Sequence, residues 1–329
     1  MLFKIILSFG EKREKMKKKV VIDCDVGVDD ALALILAFHS PEIEVLAVTG
    51  VNGNVPLETV MPNIRKVLTL LRPVCPPLIA GGADRPLQGP AVHAQQVHGE
   101  DGLGGTKIHE SENGRWWRLF PQPADDLILH LARENPHEIT LIAVGPLTNL
   151  AWALEKDKEA MKKNNDLVIM GGAVRTAGNV TPHAEFNFYV DPLAARIVLD
   201  SGLPITLVPL DATHQVSLTP DAMEEEVWPM DNPIARFVIQ ATGYDRGKSR
   251  FRNGQKEFYL HDPLAVGVGI RRDLVRTERL SLFVITEAGE HRGQSLERSD
   301  RERTDAKIDV CLGVDRKEFL KLFLSRLEV

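Results

Sequence analysis

Val20–Phe38 reads VVIDCDVGVDDALALILAF, an aliphatic run broken by four aspartates, Asp23, Asp25, Asp29 and Asp30, before it resumes. The β-branched opening VVIDCD has the length of a buried strand, and DDALALILAF has helical spacing, so the acids fall where a strand hands over to a helix. One acid there has a bland explanation. Asp29 caps the helix, Asp30 favours its positive end, and Asp23 and Asp25 merely finish the strand. Four carboxylates converging on one helix N-terminus repel one another, and a divalent cation held by hard oxygen ligands removes that repulsion. An EF-hand loop is excluded, because its last position counted from Asp23 is Leu34, where a bidentate acid is required.

Outward from this stretch, short aliphatic runs alternate with helical segments: IEVLAVTGV, PLETVMPNIRKVLTLL, PPLIAGG, ADDLILHLAREN, EITLIAVG, PLTNLAWALEKD, DLVIMGG, DPLAARIVLDSG and PITLVPLD. Unbroken aliphatic strands are buried on both sides, so this rhythm predicts an α/β single domain with an open, Rossmann-like, mostly parallel central sheet and helices on both faces. A small antiparallel extension is expected near the end, where LSLFVIT and KIDVCLGV precede the closing helix DRKEFLKLFLSRL. Residues 81–124, rich in Gly, Pro and His, and the polar residues 243–262 exceed the usual connection length, which marks functional loops or lids.

The 329 residues carry 40 Lys and Arg against 46 Asp and Glu, a net charge of −6, with no basic stripe for nucleic acid to follow. Three scattered cysteines, Cys24, Cys75 and Cys311, form neither a disulfide framework nor a zinc motif, and a reducing cytosol, hence a cytoplasmic location, fits them. No apolar run reaches the roughly 20 residues of a membrane span. The first residues place an apolar stretch before a basic run, the reverse of a secretory signal. Residues 1–16 are therefore set aside as a poorly ordered extension, with Met16 as an alternative start, and residues 17–329 form the domain.

Ligands of open α/β sheets collect at the carboxyl ends of the strands. Asp23 and Asp25, Asn52 and Asn54, Gly145, Gly171 and Gly172, and Asp211 all fall at such ends. A second cluster, GNVTPHAEFNFYVDP from Gly178 to Pro192, sets Asn179, Glu185 and Asn187 in a loop after a Gly-Gly strand end, a composition suited to several hydroxyl groups, although each residue alone is as well read as part of a turn. A third, Tyr259-Leu-His-Asp-Pro263, opens an apolar helix; taken alone, Asp262 is its N-cap and His261 a satisfied loop histidine.

Together the three clusters resemble the nucleoside hydrolase family, the inosine-uridine preferring enzymes that split ribonucleosides into ribose and free base. DCDVGVDDALA at Asp23–Ala33 is similar to the family's DxDPGxDDxxA signature, and GPLTN at Gly145–Asn149, MGG at Met170–Gly172, AEFN at Ala184–Asn187 and HDP at His261–Pro263 follow in the family order. The resemblance implies Ca2+ bound by Asp25, Asp30, Asp262 and the carbonyl of Val144, with Asp25 also the base that activates a Ca2+-bound water. It implies that Asp29, Asn54, Asn179, Glu185 and Asn187 hold the ribose, that His98 lies near the base, that His261 protonates the departing base, and that Asp23 is structural. A homodimer or homotetramer is implied as well. Val26 replaces the family proline, and Thr242–Leu260, the lid region, follows no family pattern.

Cleaving the C1′–N bond produces an oxocarbenium-like sugar, which requires a rigid polar cradle, a water on one face and a proton donor for the base. Two rival readings remain. A haloacid-dehalogenase-type phosphatase also begins with a strand ending in DxD, but Gly27 stands where that motif has Thr or Val, and the Asp29-Asp30 pair is left unexplained. A catalytically silent nucleoside-binding protein would keep the ribose ligands and lose Asp25 or His261, yet both are present.

Overall fold

Strand β1 (Lys18–Cys24) runs through the middle of the molecule, pairing in parallel with β2 (Ile43–Gly50) on one side and β5 (Ile139–Ala143) on the other. The computed structural model describes residues 17–108, 116–298 and 307–328, so the expectation for residues 1–16 lies outside the described residues. Beyond β2 lie β3 (Leu78–Gly81) and β4 (Arg118–Leu119); beyond β5 lie β6 (Asp166–Met170) and β7 (Ile205–Val208), all parallel.

Two short strands, β8 (Ser217–Leu218) and β9 (Phe258–Tyr259), form a separate antiparallel pair. Of the remaining strands, β10 (Val275–Leu280) and β13 (Ile308–Val314) complete the main sheet, while β11 (Leu282–Val284) and β12 (Ser295–Glu297) pair antiparallel with each other. Among the described residues the main sheet has the order β10-β13-β7-β6-β5-β1-β2-β3-β4. The expected antiparallel extension is thus divided. KIDVCLGV enters the main sheet parallel to β7, and only β10 runs against it. The burial of β13 is interrupted at Asp309, Leu312 and Val314, unlike the unbroken burial of β5, since β13 lies one strand in from the sheet edge.

The chain runs outward from β1 to β4, then returns to β5 on the other flank of β1. That reversal opens a crevice at the carboxyl ends of β1 and β5. The sheet separates two apolar layers, with Val20 and Ile22 in one and Val21 and Leu141 in the other. The helix Val28–Phe38 is buried from Val28 to Ala37, because ALALILA is apolar on every face, and it packs against the equally buried helix His261–Ile270. Each buried leucine there contributes about 1.5–3 kcal/mol through burial. No helix among the described residues is long and apolar enough to cross a membrane.

Candidate active site

Those two packed helices bring their N-termini to one place. Asp29 and Asp30 occupy the first turn of Val28–Phe38, Asp262 occupies the first turn of His261–Ile270, and oxygens of the three acids lie within 4.8 Å of one another. Gly27, not Asp29, is the N-cap of the first helix, and Leu260, not Asp262, that of the second. Asp30 folds the intervening loop around itself, accepting the backbone N–H of Gly27 at 2.8 Å and of Asp25 at 3.1 Å. The positive ends of both helix dipoles face this acidic cluster.

Asp25 stands outside that tight trio but shares a network with it through Asn54. The backbone N–H of Asn54 donates to Asp25 Oδ2 at 2.6 Å, and its amide donates to Asp25 Oδ1 at 3.3 Å and Asp30 Oδ2 at 3.0 Å. A Cβ on Gly53 would sit 1.9 Å from Asp25 Oδ2, so only glycine lets the backbone approach the carboxylate this closely. Burial raises the pKa of Asp25 and Asp262 well above the ordinary carboxylate range, with like-charge repulsion from Asp30 and Asp29 respectively next in size. Burial raises Asp30 as well, and it brings Asp29 to about 6. Among the described residues no lysine or arginine forms an ion pair with Asp25, Asp30 or Asp262.

Beside the acids lies a cavity of about 470 Å³ lined by Asp29, Asn54, His98, Val144, Asn179, Glu185, Asn187, His261 and Asp262. Glu185 caps the short helix Phe186–Val190, accepting the N–H groups of Asn187 at 2.9 Å and Phe188 at 3.2 Å, and also that of Gly172 at 2.9 Å. Gly172 has φ 76°, a left-handed conformation that favours glycine. Despite those three donors, burial lifts Glu185 to about 7. Asn187 donates its amide to the carbonyls of Val144 at 2.8 Å and Met170 at 3.2 Å, which ties the ends of β5 and β6 to the loop. Asn179 is exposed and accepts the N–H of Phe186 at 3.0 Å.

The match to known proteins follows this layout along the whole domain. Residues 20–321 match the family model described as inosine-uridine preferring nucleoside hydrolase. The chain belongs to that family. It is 36% identical over 321 residues to the pyrimidine-specific ribonucleoside hydrolase RihA of Klebsiella pneumoniae, covering 95% of this chain and 99% of that one. Among solved structures, the plant nucleoside hydrolase PpNRh1 superposes with a TM-score of 0.85 at 33% identity, covering 95% of this chain and 100% of the other. The purine-preferring ribonucleoside hydrolase of Gardnerella vaginalis gives 0.85 at 30%, covering 94% and 98%. The protein is a ribonucleoside hydrolase, and the phosphatase reading falls.

In this nucleoside hydrolase both long stretches line the cavity, the first through His93 and His98 and the second through Gln255, Glu257, Phe258 and Tyr259. His98 Nδ1 accepts the N–H of Val28 at 3.1 Å, so it secures the helix N-terminus as well as facing the cavity, and burial lowers its pKa to about 4. His261 Nδ1 lies 2.7 Å from Thr213 Oγ1, and burial lowers this ring to about 3. Asp23 is fully buried between Asn149 and Thr49 and does not line the cavity. Asp211 serves the N–H groups of Val174 and Arg175 and does not line it either. Sequence reasoning overlooked Thr213 and His214. Their one signal was position, since DATH directly follows the strand-like ITLVPL.

Proposed function

We propose that the enzyme uses Asp25 as general base, His261 as general acid and Ca2+ as its ion. The convergence of Asp29, Asp30 and Asp262 at two buried helix N-termini, with Asp25 joined to Asp30 through Asn54, carries this reading. The donor set fits a hard cation, for the acids are buried and oxygen-only, and among the described residues no lysine or arginine pairs with Asp25, Asp30 or Asp262. Asp25, Asp30, Asp262 and the Val144 carbonyl would hold the ion. Calcium, when bound, supplies the positive charge that offsets these acids and polarises a water for attack.

Asp25, held in place by the two donors of Asn54, would accept the proton of the attacking water. Asp29 Oδ1 is buried with no hydrogen-bond partner among the described residues, which leaves it free for a ribose hydroxyl. Asn54, Asn179, Glu185 and Asn187 complete the cradle for the sugar. As the imidazolium, His261 donates its Nδ1–H to Thr213 Oγ1 and would pass its Nε2 proton to the departing base, which leaves a neutral ring. The free, unpaired state of all three cysteines supports a reducing, cytoplasmic setting.

The test is release of reducing sugar from inosine, uridine, cytidine and adenosine, before and after EDTA and again after adding Ca2+. Ribose release that stops with the chelator and returns with calcium is the expected result. Undiminished release in EDTA would remove the ion from the scheme.

A further inference from the structure

The cavity wall leading into helix His261–Ile270 holds a carboxylate that the ribose cradle does not use. Glu257 accepts the hydroxyl of Tyr259 on Oε1 at 2.9 Å and that of Ser217 on Oε2 at 2.6 Å, so the β8–β9 pair fixes both of its oxygens. Each oxygen keeps a further lone pair, and the side chain, only partly buried, lines the cavity. The Ser217 hydroxyl, ahead of other effects, holds this carboxyl below its ordinary pKa, so it is an anion at neutral pH.

Its place relative to the substrate follows from the roles above, on which this inference rests. The sugar is held by residues at the ends of β1, β2 and β6 and by the loop before Phe186–Val190. His261 serves the departing base, and the Tyr259 ring lies 5.7 Å from its ring. Glu257, bound to the Tyr259 hydroxyl, therefore stands on the base side.

We propose that Glu257 reads the exocyclic edge of the base and favours an amino group over a keto group. An amino N–H pointing at an ionised carboxylate makes a charge-assisted hydrogen bond. A carbonyl oxygen in the same place sets acceptor against acceptor and leaves both unpaired. Sites that pair a polar group of one substrate discriminate strongly against the analogue lacking it. Among pyrimidine nucleosides the favoured substrate is cytidine, with uridine disfavoured by about tenfold or more.

The test measures kcat/KM for cytidine and uridine with the full-length, calcium-supplied enzyme and with Glu257→Gln, whose amide can donate to a carbonyl. Both substrates are assayed on the same preparation, so the ratio does not depend on the folded fraction. The wild type should favour cytidine, and the variant should narrow or reverse that ratio by about tenfold. A ratio untouched by the substitution, or a wild type that prefers uridine, overturns the assignment. Should Glu257→Gln fail to fold, product inhibition of the wild type decides, with cytosine required to inhibit more strongly than uracil. Absence of ribose release from every nucleoside would be a different result, defeating the underlying reading of the site and this assignment with it.

Discussion

Asn54 grips Asp25 from both its backbone and its side chain, at 2.6 Å and 3.3 Å, so a residue following β2 fixes the acid that ends β1. Replacing Asn54 by Asp exchanges the amide donor for a third carboxylate beside Asp25 and Asp30. We expect kcat to fall about a hundredfold with a rise in KM, given the cost of unpairing and repulsion in a dry site. Steady-state kinetics with inosine check this, and an unchanged kcat would remove Asn54 from the positioning of Asp25.

Asp25→Asn keeps the shape of the side chain while removing the proton acceptor. The fold should persist, as read by circular dichroism, and turnover should drop by about 10²–10⁴-fold or more. Near-normal ribose release by a folded variant would dispose of the base assignment.

His261→Ala should separate substrates by leaving group. A purine needs a proton as it departs, whereas nitrophenolate leaves without one, so inosine hydrolysis should lose about 10²-fold or more and nitrophenyl riboside hydrolysis much less. Equal losses on the two substrates would contradict the acid role.

The raised carboxylate pKa values set a pH dependence. Without an ion, Asp29 at about 6 and Glu185 and Asp23 at about 7 retain protons that the unfolded chain gives up near its ordinary value of 3.8 for Asp and 4.5 for Glu. Their contribution to stability is therefore full below about 4 and is lost as pH rises toward 7. His98 and His261, depressed to about 4 and 3, act oppositely, adding stability as pH rises toward 6.5. A cation competes with the carboxyl protons, so the Tm increase produced by calcium should grow between pH 5 and pH 7.5. Paired melting curves with and without calcium isolate this effect, and a Tm increment independent of pH would refute it.

Asn149 donates to Asp23 at 2.8 Å and to the Gly50 carbonyl at 3.1 Å while accepting the N–H of Ala83 at 2.8 Å, which joins the ends of β1, β2 and β3. Asn149→Ala leaves several buried groups unpaired and should cost about 2–4 kcal/mol of stability. Denaturant unfolding measures it, and a loss below about 0.5 kcal/mol would show that water replaces the amide.

Much of this is legible in the sequence. The alternation of VVIDCD with DDALALILAF fixed a strand followed by a wholly buried helix, because an element apolar on every side has nowhere to go but the interior. Asn187 and His261 were equally visible, each adjoining a glycine-rich strand end or a Pro-initiated helix. His214, Thr213 and Glu257 were not, since the ring contacts of His214 with Tyr259 and His261 link segments whose local patterns are unrelated. The pairing of KIDVCLGV was also hidden, because a short alternating strand specifies its faces but not its neighbour.

By itself, then, the sequence determined which residues are apolar enough to build the sheet and which acids stand at its strand ends, for those are properties of local pattern. Tertiary structure alone decided that Asp262 meets Asp29 and Asp30, that Asn54 grips Asp25, and that Glu257 shares a wall with His261. The reason is physical: contacts between residues far apart in the chain depend on how two buried helices and a twisted sheet pack together, and no local periodicity encodes that packing.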